Sequence, residues 1–197
     1  MQLPLIAYAF DLAFQQGIGR AQARGTLTDI AVQTNGSWHS ILEQQKIQPH
    51  TNQLSLPENY PQRPIVHIHT PMRIISQKQI IKPDTLSSRI LFQQMLRRTT
   101  TFAALHFSAP VSNIDFQPLL REAETISATH TLQWQDWTRY SNRQQQAITL
   151  GGITGSWQPD DFLPPAFAQL LYLAQWLHIG KETVFGLGRI TLSEQAV

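Results

Sequence analysis

The sequence predicts an α+β fold built on one β-α-β-β-α-β unit, and three observations lead there. Residues 65–75 are rich in β-branched side chains and read as a strand. Residues 85–107 carry apolar side chains at helical spacing. After a short helical insert, two further strand-like stretches, a second helix and a closing strand follow in that order, which is the ferredoxin-like (RRM-like) arrangement.

Taken in order, the chain opens on a helix. Pro4 suits a first helical turn, and Leu5, Tyr8, Ala9 and Leu12 recur on one side. Gly17-Ile18-Gly19-Arg20 ends it, because glycine accepts the left-handed conformation at low cost. Residues 26–32 alternate toward a short strand. Asn35-Gly36 suits a hairpin turn, and Pro49, Pro57, Pro61 and Pro64 mark loops. Residues 33–63 therefore read as two weak strands and a linker. In the second unit the helix over 85–107 presents Leu86, Ile90, Met95, Phe102 and Leu105 on one side, and residues 116–126 form the insert. Two long strands, 129–138 and 146–157, join through a basic turn at 139–143. Residues 164–177 form a helix, and residues 183–192 end in a strand.

The two ends of the chain look alike: each runs helix, glycine loop with arginine, strand. Gly186-Leu187-Gly188-Arg189 answers Gly17-Ile18-Gly19-Arg20. Read as an internal repeat, residues 1–63 are the C-terminal part of a first ferredoxin-like unit plus a linker, without its β-α-β-β portion. Residues 64–197 are then a complete unit with a glycine-rich loop. Two ordinary glycine-capped helices are the plainer alternative.

Composition sets outer bounds. A chain of 197 residues holds one domain or two small ones. With 42% hydrophobic and 14% charged residues it is a folded chain rather than a disordered one. The formal charge is only +2 and the pI about 9.2, so the placement of cations, not their sum, has to argue for nucleic acid. No cysteine is present, which excludes disulfides and thiolate metal sites. The apolar stretch at 163–177 is broken by Pro164, Pro165 and Gln169 and is too short to span a bilayer. Residues 1–5 show no secretion signal, so a cytoplasmic location with no membrane partner is expected.

The segment from His178 to Arg189 carries the most chemistry. Gly180, Gly186 and Gly188 allow close backbone approach, and their N–H groups can form an anion-binding concavity. Lys181 and Arg189 add charge where a phosphate would sit. The pattern is neither a Walker loop nor a Rossmann loop; alone, it also reads as a simple turn. Arg89, Gln93 and Arg97 form a helical stripe beside Arg98, suited to the shape-and-phosphate readout of an RNA stem or to a solvated face. Arg139 and Arg143 flank Tyr140 at a hairpin turn, offering cation and stacking surface together. His67 and His69 point to one strand face, a spacing found in metal sites but here without an obvious third ligand. A solvated face is the other reading. His106 reads as structural, and Trp134, Trp137, Trp157 and Trp176 as core or hairpin packing.

The C-terminal segment resembles the CRISPR-associated repeat-processing endoribonucleases of the RAMP superfamily. These pair two ferredoxin-like folds and end in Gly-hydrophobic-Gly, five residues, Gly-hydrophobic-Gly. Gly180, five residues, then Gly186-Leu187-Gly188 match, and His178 stands where the first glycine would be. The approach Tyr172-Leu173-Ala174-Gln175-Trp176-Leu177, together with Thr70-Pro71-Met72-Arg73, Leu96-Arg97-Arg98, Arg139-Tyr140-Ser141-Asn142-Arg143-Gln144 and Gly151-Gly152-Ile153-Thr154-Gly155-Ser156-Trp157, looks like one branch of that family.

The resemblance implies binding of a repeat stem-loop in precursor CRISPR RNA and its metal-independent, cofactor-free cleavage by the ribose 2′-OH to give crRNA. General acid–base catalysis and charge stabilisation each contribute about 10²–10⁴-fold to such a step. The family often carries its catalytic histidine on the first helix of an N-terminal fold that this chain does not show. His178 is the first substitute, with Lys181, Tyr140 and Arg143 as partners; a histidine favoured by the helix dipole is the alternative reading of His178. The implied RNA-binding set is Arg20, Arg24, Arg97, Arg98, Arg139, Arg143, Gly180, Lys181, Gly186, Gly188 and Arg189. Implied partners are repeat RNA or crRNA, with other CRISPR effector subunits or a complementary N-terminal chain as further ones. The alternative function is a catalytically inactive RNA-binding or scaffold subunit of an effector complex. An RRM-type single-strand binder shares the element order, but its aromatic strand pattern is missing.

Overall fold

The computed structural model describes residues 2–19, 21–34, 37–50, 56–106, 115–141 and 145–194. The chain divides into two compact units, Met1–Glu58 and Asn59–Val197.

In the first unit, α1 (Leu3–Gln16) has Pro4 in its first turn and stops at Gly17. That glycine sits at φ 103°, where a Cβ would lie 2.7 Å from the Gln22 carbonyl oxygen. No residue of α1 is buried, and Leu5 is 68% exposed. The strand expected over 26–32 begins later, as β1 (Ala31–Thr34) paired with β2 (Ser37–Ser40). Asp29 is the reason: its Oδ1 accepts the Ile30 N–H and the Ser40 hydroxyl, and such local side-chain bonds compete with a ladder. The Asn35-Gly36 turn lies outside the described residues. A small hairpin follows, β3 (Leu42–Glu43) with β4 (Lys46–Ile47), turned by Gln44 and Gln45 at positive φ.

The second unit runs β5 (Ile65–Met72), the hairpin β6 (Ile75–Ser76) and β7 (Gln79–Ile80), α2 (Ser88–His106), α3 (Gln117–Glu124), β8 (Ala128–Gln135), β9 (Thr138–Ser141), β10 (Gln146–Thr149), β11 (Gly152–Pro159), α4 (Pro165–Leu177) and β12 (Ile190–Ser193). Strands β12-β5-β11-β8 form one antiparallel sheet. With α3 and the small hairpins set aside, this is the ferredoxin-like β-α-β-β-α-β unit. Alternation sends Val66 and Ile68 of β5 into the core, where they join Ile153 and Trp157 of β11 and Ile190 of β12. From the helix layer come Leu91, Phe92 and Met95 of α2 and Phe167, Leu171 and Ala174 of α4. Phe92 lies at the centre, 4.6 Å from the Phe167 ring and 6.0 Å from that of Trp157.

Two details differ from the sequence reading. The buried face of α2 is Leu91, Phe92, Met95 and Leu96; burial stops there, and Leu105 is 73% exposed. A 19-residue helix is about 28 Å long, and its last turns leave the apolar layer. Phe102 instead meets His106, ring centroids 4.4 Å apart. The two long strands expected over 129–138 and 146–157 are broken into β8–β11, inside the sheet, and a separate β9–β10 hairpin. The break occurs where the Trp134 indole covers Gly151: a Cβ on Gly151 would lie 2.4 Å from that ring. The indole N–H donates to Asp136 Oδ1 at 2.8 Å, and Leu150 N–H to the Trp137 carbonyl at 2.6 Å.

Among the described residues no helix is long and apolar enough to cross a membrane. Because Phe92 is wedged between both helices and the sheet, Phe92→Ala should cost about 3–5 kcal/mol of stability. Urea unfolding curves of the two proteins check this, with a lowered midpoint at unchanged slope expected.

Candidate nucleic-acid interface

The interface is built where the end of β5, the end of α4 and the start of β12 meet. Arg73, just after β5, forms a β-bridge with Lys181. The Lys181 N–H donates to the Arg73 carbonyl at 2.8 Å, and the Ile179 N–H to the Gly188 carbonyl at 2.9 Å. Gly188 N–H donates in turn to the Pro71 carbonyl at 3.2 Å, and Arg189 N–H to Thr70 Oγ1 at 2.9 Å. Thr70 completes the stitch by donating its hydroxyl to the Gly186 carbonyl at 2.8 Å.

The glycines serve this stitching. Gly180 (φ 92°) faces the Arg73 carbonyl oxygen, 2.4 Å from where a Cβ would be; Gly188 (φ 73°) faces that of Ile179, at 1.9 Å. Only Gly186 of the three has open space beside it. The amides of Ile179, Lys181, Phe185, Gly186, Gly188 and Arg189 all donate inside the protein. Of the three glycine amides expected to form an anion concavity, those of Gly186 and Gly188 are taken by the chain's own carbonyls.

His178 caps α4 at φ 57°, ψ 162°, a region populated essentially by glycine alone. Its imidazole is half-buried, with Nδ1 3.1 Å from the Leu187 carbonyl oxygen. A carbonyl only accepts, so Nδ1 carries the proton and Nε2 of the neutral ring holds the lone pair.

Beside the loop lies a cavity of about 180 Å³ lined by Gln94, Arg97, Arg98, Thr101, Gly180 and Lys181. Arg98 is partly committed: its Nε donates to the Leu177 carbonyl at 3.0 Å, satisfying one of the unpaired carbonyls at the end of α4. Arg97 and Lys181 are exposed. Arg89, the other end of the expected stripe, is ion-paired with Glu124. Gln94 and Thr101 were not singled out from the sequence, although 94, 97, 98 and 101 are one helical face by spacing alone.

The remaining candidates are dispersed. Arg189 is exposed at the start of β12. Tyr140 is exposed on β9 and donates its hydroxyl to Gln145 Oε1 at 3.0 Å, while Arg139 pairs with Ile148 in the same hairpin. Arg24 is exposed in the first unit; Arg20 and Arg143 lie outside the described residues. His67 and His69 share one sheet face, their Nε2 atoms 2.8 Å and 2.7 Å from the hydroxyls of Ser193 and Thr191. Among the described residues no three His, Cys, Asp or Glu side chains are placed to hold a metal ion together. Trp157 is core, Trp134 covers Gly151 with Lys82 Nζ 3.3 Å from its ring centre, and Trp176 packs tilted against Tyr172, ring centroids 4.8 Å apart.

A ferredoxin-like sandwich with a stitched glycine loop and a cation-lined cleft defines the structural class. Residues 66–190 match the family model described as CRISPR-associated endoribonuclease Cas6. The chain belongs to that family. Among solved structures, a Cas6 product complex is similar at 15% identity and a TM-score of 0.51, over 68% of this chain and 52% of that one. Thermus thermophilus Cas6 is similar at 14% identity, TM-score 0.47, over 68% and 55%. A partial Cas6-RT-Cas1–Cas2 complex is similar at 16% identity, TM-score 0.47, over 68% and 23%. The chain therefore spans between about a quarter and a little over half the length of these similar chains. No curated protein sequence matches it.

The backbone at His178 yields a direct test. Strain in such regions is worth about 1–3 kcal/mol, so His178→Gly should melt at or above the wild-type temperature, whereas His178→Ala keeps the strain, loses the Leu187 bond and should melt lower. Calorimetry on the three proteins decides it.

Proposed function

We propose that the chain binds the repeat stem-loop of precursor CRISPR RNA and takes part in its metal-independent cleavage to crRNA. Membership of the Cas6 family is the observation that carries this reading. In the proposed step a base removes the proton of the ribose 2′-OH, and the 2′-oxygen bonds to the adjacent phosphorus. The bond from phosphorus to the 5′-oxygen then breaks, and that oxygen takes a proton from an acid. The products are a 2′,3′-cyclic phosphate and a 5′-OH.

His178 is the proposed acid–base group, working from Nε2, because the Leu187 carbonyl holds the other nitrogen. Lys181, three residues on, is the proposed cation for the phosphorane charge. Tyr140, on β9, and Arg143 are proposed partners, with Arg20, Arg24, Arg139 and Arg189 as phosphate contacts.

A second reading is a non-catalytic RNA-binding or scaffold subunit. Leu5, Tyr8 and Phe10 of α1 are not buried within the first unit itself, and exposed apolar side chains of this kind suit a protein contact. Such a polypeptide is either another effector subunit or a complementary N-terminal chain.

Incubation with a repeat hairpin in EDTA, with product ends identified by mass spectrometry, tests both. Cleavage by the 197-residue chain giving a cyclic phosphate, lowered about 10²-fold or more in His178→Ala, is the expected result for the enzyme. Tight repeat binding with no cyclic product would establish the scaffold reading instead.

A further inference from the structure

Most of the glycine loop's amides donate inward, which leaves side chains as the main groups available to an anion here, and they converge at one place. The cleft between α2 and the segment after α4 is lined by three cationic side chains, Arg97, Arg98 and Lys181, by two neutral hydrogen-bonding ones, Gln94 and Thr101, and by Gly180. Among the described residues no carboxylate lines it. Among the described residues neither Arg97 nor Lys181 has an ion-pair partner, in contrast to Arg89 two turns earlier on α2. Two like charges brought together without a counter-ion repel one another, and a bound anion removes that cost.

The two walls are held at fixed spacing by bonds that do not involve the open face. Arg98 Nε bonded to Leu177 ties α2 to the end of α4, and the Arg73–Lys181 bridge ties the opposite wall to the sheet. Lys181 is anchored through its backbone, leaving its side chain free of that duty. Arg98 is thus a positioning residue, and Arg97, Lys181, Gln94 and Thr101 are the groups that face a ligand.

We propose that this cleft is a built phosphate site that takes one backbone phosphodiester, with its ribose, of the bound RNA. Arg97 supplies a planar fork for the two non-bridging oxygens and Lys181 a point charge. Gln94 and Thr101 donate to the remaining phosphate oxygen or to the 2′-OH. The cleft is small, about 180 Å³, which suits a phosphate group with its sugar. The cleft contacts the backbone, so it positions the RNA without reading its sequence. This assignment rests on the RNA-binding reading above and adds to it a location and two residues, Gln94 and Thr101.

The test uses the 197-residue chain, measuring the salt dependence of affinity for a repeat hairpin and for a scrambled hairpin, alongside NMR titration with inorganic phosphate. Arg97→Ala and Lys181→Ala should each flatten the slope of log K against log salt by about 0.7–0.9, and together by about twice that. The pair Gln94→Leu with Thr101→Val should lower affinity several-fold at unchanged slope. Inorganic phosphate should shift the side-chain signals of Gln94, Thr101, Arg97 and Lys181 before those of other surface residues. Repeat RNA binding with wild-type slopes in Arg97→Ala and Lys181→Ala overturns the cleft and leaves repeat recognition standing. Phosphate shifts at the cleft combined with unchanged RNA slopes also overturn it, since the site then serves a free phosphate. Equal affinity for repeat and scrambled hairpins, with the slopes flattened in both, sinks repeat recognition and supports the cleft.

Discussion

Two backbone crossings hold this interface together. At one the chain passes the Arg73 carbonyl so closely that only Gly180 fits, and at the other it passes the Ile179 carbonyl beside Gly188. Each closes with a hydrogen bond, Lys181 N–H to Arg73 and Ile179 N–H to Gly188. A side chain at either glycine would push the end of β5 away from the segment joining α4 to β12. The edge strand β12, the cap of α4 and the cleft beside α2 all take their positions from these contacts.

The same stitching decides what kind of chemistry the loop supports. A glycine loop usually suggests amides turned toward a ligand, but here most of those amides are satisfied by Pro71, Arg73, Thr70 and the loop itself. The cationic side chains Arg97, Arg98 and Lys181 line a cleft on the α2 side, where Arg98 closes the end of α4. His178 is a further product of this geometry. It occupies a backbone region suited to glycine while its ring is tied to Leu187. The surrounding structure holds the residue in that strained region, and the ring's contact with Leu187 is one of the bonds that does so.

Much of the second unit was legible in the residues. The order of strands and helices, the helical insert, Gly17 and the glycines of the terminal loop as special backbone positions, and the core character of Trp157 all follow from local pattern. The first unit was legible as far as its helix and weak hairpin strands. Less so was the buried face of α2, because Ile90, Phe102 and Leu105 share its helical periodicity with Leu91, Phe92 and Met95, and periodicity cannot say where the apolar layer ends. The broken β8–β11 hairpin was also out of reach, since the break comes from Trp134 settling over Gly151, a contact between residues seventeen positions apart.

What the sequence determined by itself is the class of fold and the family, since both are written in element order and in short motifs whose spacing is local. Only the tertiary structure decided which groups are free to act. Whether an amide, a guanidinium or an imidazole is available depends on which distant atoms already satisfy it: Pro71 for Gly188, Leu177 for Arg98, Leu187 for His178, Glu124 for Arg89. Such partners are set by how the sheet and helices pack, and no spacing along the chain records them.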